Sequence, residues 1–382
     1  MIRLLIVDDS ALMRKLLSGI FEQEGDFDIR TARNGAEALE LAKSFAPQVA
    51  TLDINMPVMD GLTCLSRLMI EAPLPVVIVS SQTYEGAETT LEALHLGAVE
   101  VVAKPEGTVS LSIDRIRPIL VETVRAAAKA RLRSTLRLTD RVRHRIGSTT
   151  GTAKSTIKAT TGLPERPEPP PTLAQDSVPD TEASAPGLLL IGASTGGPQA
   201  LEEILTALPA DLPWPVLVAQ HMPATFTGAF AQRLDRICAL SVREVRQATF
   251  LKPGCVHIAQ GDADLIVAHR PAGLIALPVP ASQAHRWHPS VDRMVTSALN
   301  HVPANRQVGV LLTGMGDDGA TAMSRLRAEG GHTIAQDEDT AVVWGMPGEL
   351  VRRGGADIVV PLPDIARTIA QAVSRRFAQT CR

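Results

Sequence analysis

The chain has 382 residues, of which 45% are hydrophobic and 21% are charged, and its formal net charge is −3. This length predicts two or three domains, and this composition excludes a disordered or fibrous protein. The small net charge provides no general attraction to nucleic acid, and no run approaches the roughly 20 apolar residues of a membrane helix.

The first third of the chain alternates short apolar runs with amphipathic segments. Five runs are predicted strands: Arg3–Val7, Phe27–Thr31, Val49–Leu52, Val76–Val79 and Val99–Val102. Amphipathic segments such as Leu12–Glu24 and Ala36–Ser44 predict helices between them. This alternation predicts a doubly wound, mainly parallel α/β sheet whose ligand site lies beyond the carboxyl ends of the strands.

Polar side chains follow the predicted strands at this edge. Asp8 and Asp9 end the first strand, Asp53 ends the third, Ser80 ends the fourth and Lys104 follows the fifth. A lone aspartate at a strand end is usually a helix cap, but five such groups at successive strand ends indicate a site. The carboxylates would repel one another without a cation, and oxygen ligands favour Mg²⁺. We therefore predict a site that stabilises a phosphoryl group on one aspartate.

The end of this domain has a basic extension. Apolar residues recur at helical spacing from Ile113 to Leu132, and the stretch from Arg115 to Arg145 is rich in basic side chains. This predicts a long helix whose basic face is either solvated or docked on the other domain or an acidic partner. The stretch from about Gly147 to Pro186 is rich in Thr, Ser and Pro, which predicts a flexible linker or, alternatively, a proline-rich partner motif.

The remainder of the chain also alternates strands and helices. Four apolar runs are predicted strands: Leu188–Ile191, Val216–Ala219, Gly309–Leu312 and Asp357–Val360. Helices are predicted at Gln199–Leu208 and Asp318–Glu329, among others. The central part, about Ser241 to Val279, contains several turn signals and is predicted to form short antiparallel strands. These patterns predict a second α/β domain with an antiparallel insertion.

A candidate nucleophile follows the first of these strands. Ser194 occupies a G-x-S-x-G turn between a strand and a helix, which exposes a serine hydroxyl at the sheet edge. That pattern alone is weak evidence, because a nucleophilic serine needs a base and a group that orients the base. His221 and the pair Asp317 and Asp318 also follow predicted strands, which suggests a triad. The order Ser, His, Asp differs from that of an ordinary α/β-hydrolase.

Two other function classes fit less well. The glycine-rich turn lies where a dinucleotide-binding loop would lie, but Ser194 replaces its second glycine and Asp211 precedes a proline-rich turn instead of ending a second strand. A DNA-binding output is disfavoured because the second domain has neither a helix-turn-helix pattern nor a basic face. The other histidines, such as His257, have no metal-site spacing, and we interpret them as structural or surface groups.

Residues 1 to about 120 resemble the receiver domain of two-component response regulators, which is flavodoxin-like with five βα units. The resemblance implies that Asp53 is the phosphoacceptor and that Ser80 and Lys104 are switch residues. It implies four Mg²⁺ ligands: Asp8, Asp9, Asp53 and the backbone carbonyl of Asn55. Where many receivers have an aromatic switch residue, this chain has Val101.

Residues 187 to 382 resemble the catalytic domain of chemotaxis protein-glutamate methylesterases (CheB). Four segments carry this resemblance: Ile191–Gly197, Gln220–Pro223, Pro289–Asp292 and Leu312–Ala320. It implies that Ser194 is the nucleophile and His221 the base. The family pattern M-G-x-D assigns the catalytic aspartate to Asp318, while Thr195 and Met315 line the oxyanion side.

The two resemblances together imply a phosphorylation-activated serine hydrolase. It would demethylate glutamate methyl esters, with release of methanol, and deamidate glutamines on the cytoplasmic helices of chemoreceptors. The receiver domain would cover the catalytic cleft until Asp53 is phosphorylated by a chemotaxis histidine kinase. We expect Mg²⁺ in the receiver domain, no cofactor in the catalytic domain, no nucleic-acid partner, no membrane insertion and a monomer.

The expected domains are a receiver at 1–122, a basic helix and linker at 123–186 and a methylesterase domain at 187–382. The first apolar run contains Arg3 and is followed by Asp8 and Asp9, which argues against a signal peptide. Four cysteines are spaced too widely for a metal or redox motif: Cys64, Cys238, Cys255 and Cys381. A cytoplasmic protein with free thiols is therefore expected.

Overall fold

The computed structural model describes residues 1–80, 84–104, 109–131 and 187–380. The predicted linker, the basic stretch beyond residue 131, Cys381 and the end of the chain lie outside these residues. The described residues form an N-terminal and a C-terminal domain, each built on its own parallel sheet. Within them, no helix combines the length and the apolar character needed to cross a membrane.

The N-terminal domain contains five parallel strands in the order β2-β1-β3-β4-β5. The strands are β1 (Ile2–Val7), β2 (Phe27–Ala32), β3 (Val49–Leu52), β4 (Val76–Ser80) and β5 (Glu100–Ala103). The helices are α1 (Ala11–Glu24), α2 (Gly35–Phe45), α3 (Gly61–Glu71), α4 (Tyr84–His95) and α5 (Val109–Ala127). This order confirms the predicted flavodoxin-like fold, and each predicted strand is present.

Three of these helices begin with side-chain caps directly after the strand-end loops. Ser10, Asn34 and Asp60 each accept a hydrogen bond from the backbone amide three residues further on. Such caps satisfy helix amides that otherwise have no intrahelical partner. The caps therefore fix where each helix starts and leave the strand-end side chains at the carboxyl edge of the sheet.

The C-terminal domain contains a seven-stranded parallel sheet in the order β15-β14-β13-β6-β7-β10-β8. Its strands are β6 (Leu188–Ala193), β7 (Val216–Gln220), β8 (Ser241–Val245), β10 (Cys255–Ala259), β13 (Gln307–Leu311), β14 (His332–Gln336) and β15 (Ile358–Val360). A separate antiparallel sheet is formed by β9 (Thr249–Phe250), β11 (Ala263–Arg270) and β12 (Gly273–Pro280). The predicted combination of a parallel sheet and an antiparallel insertion is confirmed.

Helices cover the larger sheet on both faces. They are α6 (Gly197–Ala207), α7 (Ala224–Ile237), α8 (Val291–Leu299), α9 (Ala320–Ala328), α10 (Met346–Arg352) and α11 (Leu362–Thr380). Because both faces are covered, the central strands β6, β7 and β13 are buried along their whole length. The carboxyl ends of these three strands lie side by side.

The C-terminal domain differs from the prediction in three details. The segment from about Ser241 to Val279 is predicted to form short antiparallel strands, and β9, β11 and β12 do so, but β8 and β10 are parallel members of the main sheet. Strand β14 was not predicted, and the helix expected from Asp318 begins at Ala320. The turns at Pro253-Gly254 and Gly261-Asp262, which flank β10, resemble the turns of antiparallel hairpins. Strand β10 nevertheless pairs in parallel with β7, which is distant from it in sequence.

Candidate functional site

Ser194 lies in the tight turn that joins β6 to α6. Its amide donates to the carbonyl of Thr313 at 3.0 Å, and its carbonyl accepts from the amide of Gly197 at 2.7 Å. Gly196 has φ of +76°, and a Cβ there would lie 2.7 Å from the side chain of Val342. Only glycine adopts this positive φ readily and also has no Cβ to clash with Val342, so the turn requires glycine at this position. Ser194 thus occupies the strand-to-helix turn that the sequence predicts.

His221 follows the neighbouring strand β7 and pairs with Asp318. The amide of His221 donates to the carbonyl of Ala193 at 3.0 Å, which places the histidine beside the serine turn. Its Nε2 atom lies 2.8 Å from Oδ2 of Asp318, and both side chains are buried. Nδ1 has no hydrogen-bond partner among the described residues. Nδ1 is therefore the ring nitrogen that is free to interact with a nearby hydroxyl group.

The carboxylate of Asp318 accepts several hydrogen bonds. Besides His221, its donors are the Ser290 hydroxyl at 3.0 Å, the Val291 amide at 2.7 Å and the Asp292 amide at 3.0 Å. Burial alone would raise the pKa of Asp318, but the hydrogen bonds and the nearby imidazole outweigh it and hold this pKa below its usual value. An ionised Asp318 can fix the ring orientation of the histidine.

The two candidate aspartates differ clearly in their surroundings. Asp317 is exposed, and its carboxylate lies 3.2 Å from the Arg353 guanidinium. Asp318 alone contacts His221, although the strand-end argument from the sequence does not separate the two residues. Of these two aspartates, the structure therefore brings only Asp318 into contact with the histidine.

Gln220 is a buried residue of this site to which the sequence patterns assign no role. Its Nε2 atom donates to the carbonyls of Ser194 and His221, both at 3.0 Å. One amide group thus joins the two strand ends that carry the candidate nucleophile and base. The available signal was a glutamine, directly before His221, at the end of an otherwise apolar strand.

The two residues expected at the oxyanion side differ in exposure. Thr195 is buried, its carbonyl accepts from the Thr313 hydroxyl at 2.8 Å, and its own side chain is hydrogen-bonded to Glu100 of the N-terminal domain. Met315 is half-buried and lines a cleft of about 460 Å³ between the two domains, together with Trp344. Both residues therefore lie next to the interface between the domains.

A second site lies at the carboxyl edge of the N-terminal sheet. Carboxylate oxygens of Asp8, Asp9 and Asp53 lie within 4.8 Å of one another. The Lys104 ammonium lies 2.9 Å from Asp8 and 2.8 Å from Asp53. Burial raises the pKa of Asp53, while the hydrogen bond and charge of Lys104 oppose that rise. These oxygen donors fit a hard divalent cation such as Mg²⁺.

The remaining receiver-type residues occupy expected positions. Ser80 ends β4, and its hydroxyl accepts a hydrogen bond from Thr90 at 3.1 Å. Asn55 is exposed in the loop after β3, close in sequence to Asp53. Val101 is buried in β5, so an aliphatic side chain fills the position that is aromatic in many receivers.

Comparison with known proteins identifies both domains. Residues 189–369 match the family model for the CheB methylesterase, and residues 4–113 match the model for the response regulator receiver domain. A protein-glutamate methylesterase/protein-glutamine glutaminase of Rhodopseudomonas palustris is 58% identical over 97% of this chain and 98% of its own length. The chain belongs to the CheB methylesterase family.

Two further relatives have the same description. One from Rhodospirillum rubrum is 52% identical over 98% of this chain and 97% of its own length. Another, from Carboxydothermus hydrogenoformans, is 44% identical over 97% of this chain and 99% of its own length. The likeness therefore spans both domains of this CheB-family chain.

In this CheB-family chain, the receiver domain contacts the turn that carries Ser194. The Gly196 amide, at the start of α6, donates to the Val99 carbonyl of the receiver at 3.1 Å. The Gln199 side chain donates to the Ala98 carbonyl at 3.3 Å and also to the Leu94 carbonyl. The segment from the end of α4 to the start of β5 therefore covers the first turn of α6.

Glu100 is a buried carboxyl group at the same contact. Burial raises its pKa to about 7, although hydrogen bonds from the Val101 amide and the Thr195 side chain act in the opposite direction. A carboxyl group with this pKa is partly protonated near neutral pH. The contact between the two domains thus contains a group that titrates in the physiological range.

Ion pairs and other polar contacts surround this contact. The Glu202 carboxylate lies 3.3 Å from the His95 ring and 3.2 Å from the Arg233 guanidinium. Arg131, beyond the end of α5, lies 3.2 Å from Glu338. Arg286 of the catalytic domain pairs with Glu122 of α5. Of the described arginines in the basic extension, Arg131 pairs with the catalytic domain, whereas Arg117 and Arg125 pair with Glu24 and Asp26 of the receiver itself.

Proposed function

We propose that this chain is a phosphorylation-activated serine hydrolase that removes methyl groups from glutamate methyl esters and deamidates glutamines. The observation that carries the proposal is the buried His221–Asp318 pair, 2.8 Å apart, on the strand end next to the Ser194 turn. Its full-length relatives are named for both activities. The proposed substrates are the cytoplasmic helices of chemoreceptors, so the enzyme would act in the cytoplasm.

The proposed chemistry begins with proton transfer from Ser194 to Nδ1 of His221 as the serine oxygen attacks the ester carbonyl carbon. Asp318 holds the Nε2–H group and stabilises the imidazolium that forms. Collapse of the tetrahedral intermediate breaks the bond to the methoxy group, which leaves as methanol with the proton from His221. Water, activated by the same histidine, then hydrolyses the acyl-serine bond and regenerates Ser194. A glutamine substrate would release ammonia instead of methanol.

The tetrahedral intermediate needs donors for its negative oxygen. The first turn of α6 has backbone amides that point out of the helix end, and these amides favour negative charge. We assign Thr195 and Met315 to this side of the site. In the docked arrangement, Thr195 is hydrogen-bonded to Glu100 and the Gly196 amide is bonded to Val99. The receiver therefore competes with a substrate for this region.

Control is assigned to Asp53 as the phosphoacceptor, with a chemotaxis histidine kinase as the donor. Asp8, Asp9, Asp53 and the Asn55 carbonyl would hold Mg²⁺, which would neutralise negative charge on the phosphoryl group. Lys104 and Ser80 would respond to that group as switch residues. Phosphorylation would then weaken the docked contact and open the cleft. We propose the receiver as 1–122, the basic helix and linker as 123–186 and the catalytic domain as 187–382.

The test is methanol release from a methylated chemoreceptor, measured with and without Mg²⁺ and a small phosphodonor. We expect the phosphodonor to increase release in the wild type, with no increase in Asp53→Asn. Ser194→Ala should abolish release in all conditions. Release that ignores the phosphodonor would contradict the control step but leave the esterase assignment intact. Undiminished release in Ser194→Ala would contradict the assigned nucleophile.

A further inference from the structure

An indole ring lies against the candidate base. The ring centroids of Trp287 and His221 are 5.8 Å apart, and the two ring planes differ by 12°, so the rings are stacked. Trp287 is half-buried. It belongs to the segment between β12 and α8, and none of the sequence patterns drew attention to it.

The same indole also contacts the loop that carries Asp318. Gly316 has φ of +81°, and a Cβ at this position would lie 3.2 Å from Nε1 of Trp287. A few residues further on, the Ser290 hydroxyl and the Val291 amide donate to the Asp318 carboxylate. One short segment therefore holds both the histidine and its aspartate, the first by stacking and the second by hydrogen bonds.

The stacking has a definite geometrical consequence. The hydrogen bond from Nε2 to Asp318 fixes one atom of the imidazole but allows the ring to turn about that bond. A flat neighbour on the ring face removes this freedom and thus fixes the direction of Nδ1.

We propose that Trp287 is the positioning residue of the catalytic base. Its ring keeps the His221 imidazole in the plane in which Nε2 contacts Asp318 and Nδ1 is directed to Ser194. This inference rests on the proposed function, because it assumes that His221 accepts the proton from Ser194. Trp287 itself touches neither of the reacting bonds.

The experiment compares Trp287→Leu, which removes the flat ring, with Trp287→Phe, which keeps one. In the full-length protein activated by the phosphodonor, we expect Trp287→Leu to lower kcat by about ten- to a hundredfold, because misaligned groups lose rate. KM should remain within about twofold. Trp287→Phe should recover most of kcat. Phe250→Leu, an exposed aromatic on β9, is the matched control and should leave kcat unchanged.

A second measurement detects the stacking without reference to turnover. In protein with ¹³C-labelled histidine, the His221 ring signal is assigned by its loss in His221→Gln. The indole ring current should shift this signal upfield in the wild type. The shift should disappear in Trp287→Leu, with an unchanged midpoint of thermal unfolding.

The outcomes separate this inference from the function on which it rests. A wild-type kcat in Trp287→Leu, or equal losses in the Leu and Phe variants, would overturn the positioning role. An unshifted His221 signal in the wild type would overturn the stacking itself, even if the Leu variant did not fold. Full activity in His221→Gln would instead contradict the assigned base, and so the proposed function.

Discussion

At the scale of single residues, the sequence predicts which strand ends carry the candidate catalytic side chains, but it does not predict all the residues that contact them. Ser194, His221 and Asp318 were expected at one sheet edge, and the structure has all three there. Gln220 and Trp287 were missed because their roles depend on contacts with loops distant in sequence. The hydrophobic periodicity of a strand (two residues) or a helix (3.6 residues) identifies the element but contains no information about such contacts. The catalytic roles themselves stay predictions until they are measured.

Replacement of Asp318 by asparagine tests the orientation of His221. We expect Asp318→Asn to lower kcat by a factor of about 10² to 10⁴, since an amide cannot hold the imidazole in the same tautomer and stabilise its charged form. The measurement is methanol release in the phosphodonor-activated protein. Asp317→Asn is the matched control because Asp317 pairs with Arg353 at the surface. Equal losses in the two variants would contradict the assignment.

The same carboxylate makes stability depend on pH. The folded protein holds the pKa of Asp318 below its usual value of about 3.9. Ionised Asp318 therefore stabilises the fold at pH values above this usual pKa. This stabilisation is lost as the pH falls through the lowered pKa. Urea unfolding should show Asp318→Asn to be less stable than the wild type at neutral pH. The difference in the free energy of unfolding should shrink in acid. A difference that does not change with pH would contradict a lowered pKa of Asp318.

At the scale of secondary-structure elements, the fold was predictable where strands are continuously apolar. The central strands β6, β7 and β13 were recognised for this reason. Strand β14 was missed because it contains Thr333 and Gln336, which are polar but fully buried. Gln336 is satisfied by the Thr313 amide at 2.8 Å, a partner on a neighbouring segment. Strands β8 and β10 were assigned the wrong direction because their partners are not adjacent in sequence.

The contact between β5 and α6 predicts a pH effect on control. Burial raises the pKa of Glu100 to about 7, so docking favours the protonated form and weakens as the pH rises through that value. If undocking restores an ordinary glutamate pKa, the effect on the free energy of docking is at most about 4 kcal/mol. The activity without phosphodonor, relative to that with it, should increase from about pH 6 to about pH 8.

Glu100→Gln is the control for this effect. Glutamine keeps an oxygen that can accept hydrogen bonds from the Val101 amide and the Thr195 side chain, but it does not ionise. The ratio of the two activities should therefore be nearly flat with pH in this variant. The same slope in the variant and the wild type would show that another group is responsible.

At the scale of the whole molecule, the docked arrangement is the feature that sequence patterns reveal least. Each domain is built on its own sheet, which local sequence patterns predict. The contact between the domains depends instead on ion pairs between residues far apart in the chain, such as Glu122 with Arg286. The Arg286 guanidinium also lies over the Trp287 ring, 5.1 Å from its centroid. A residue of the receiver is therefore joined to the stacked rings of the catalytic domain through one arginine.

These ion pairs predict that salt opposes docking. An increase from about 0.1 M to about 1 M salt shortens the Debye length from about 10 Å to about 3 Å and screens exposed charges. Methanol release without phosphodonor should therefore rise with salt, while the activated protein should change less. Glu122→Gln should raise the unactivated rate by up to about fivefold, because exposed pairs contribute little.

The matched control for the ion pair is Glu329→Gln. It breaks an exposed pair with Arg325 that lies within the catalytic domain and spans no interface. This variant should keep the wild-type ratio of unactivated to activated rates. An equal rise in both variants would mean that the Glu122 pair has no special part in docking.

The hydrogen bond from the Gly196 amide to the Val99 carbonyl connects the two functional ends of the protein in both directions. Suppose that phosphorylation of Asp53 weakens this contact by a certain free energy. Because thermodynamic linkage is reciprocal, a receptor segment that displaces Val99 must then favour the phosphorylated form by the same free energy. Receptor helices rich in methyl esters would therefore be more than a substrate. By occupying the cleft, they would favour the phosphorylated state of the enzyme that demethylates them.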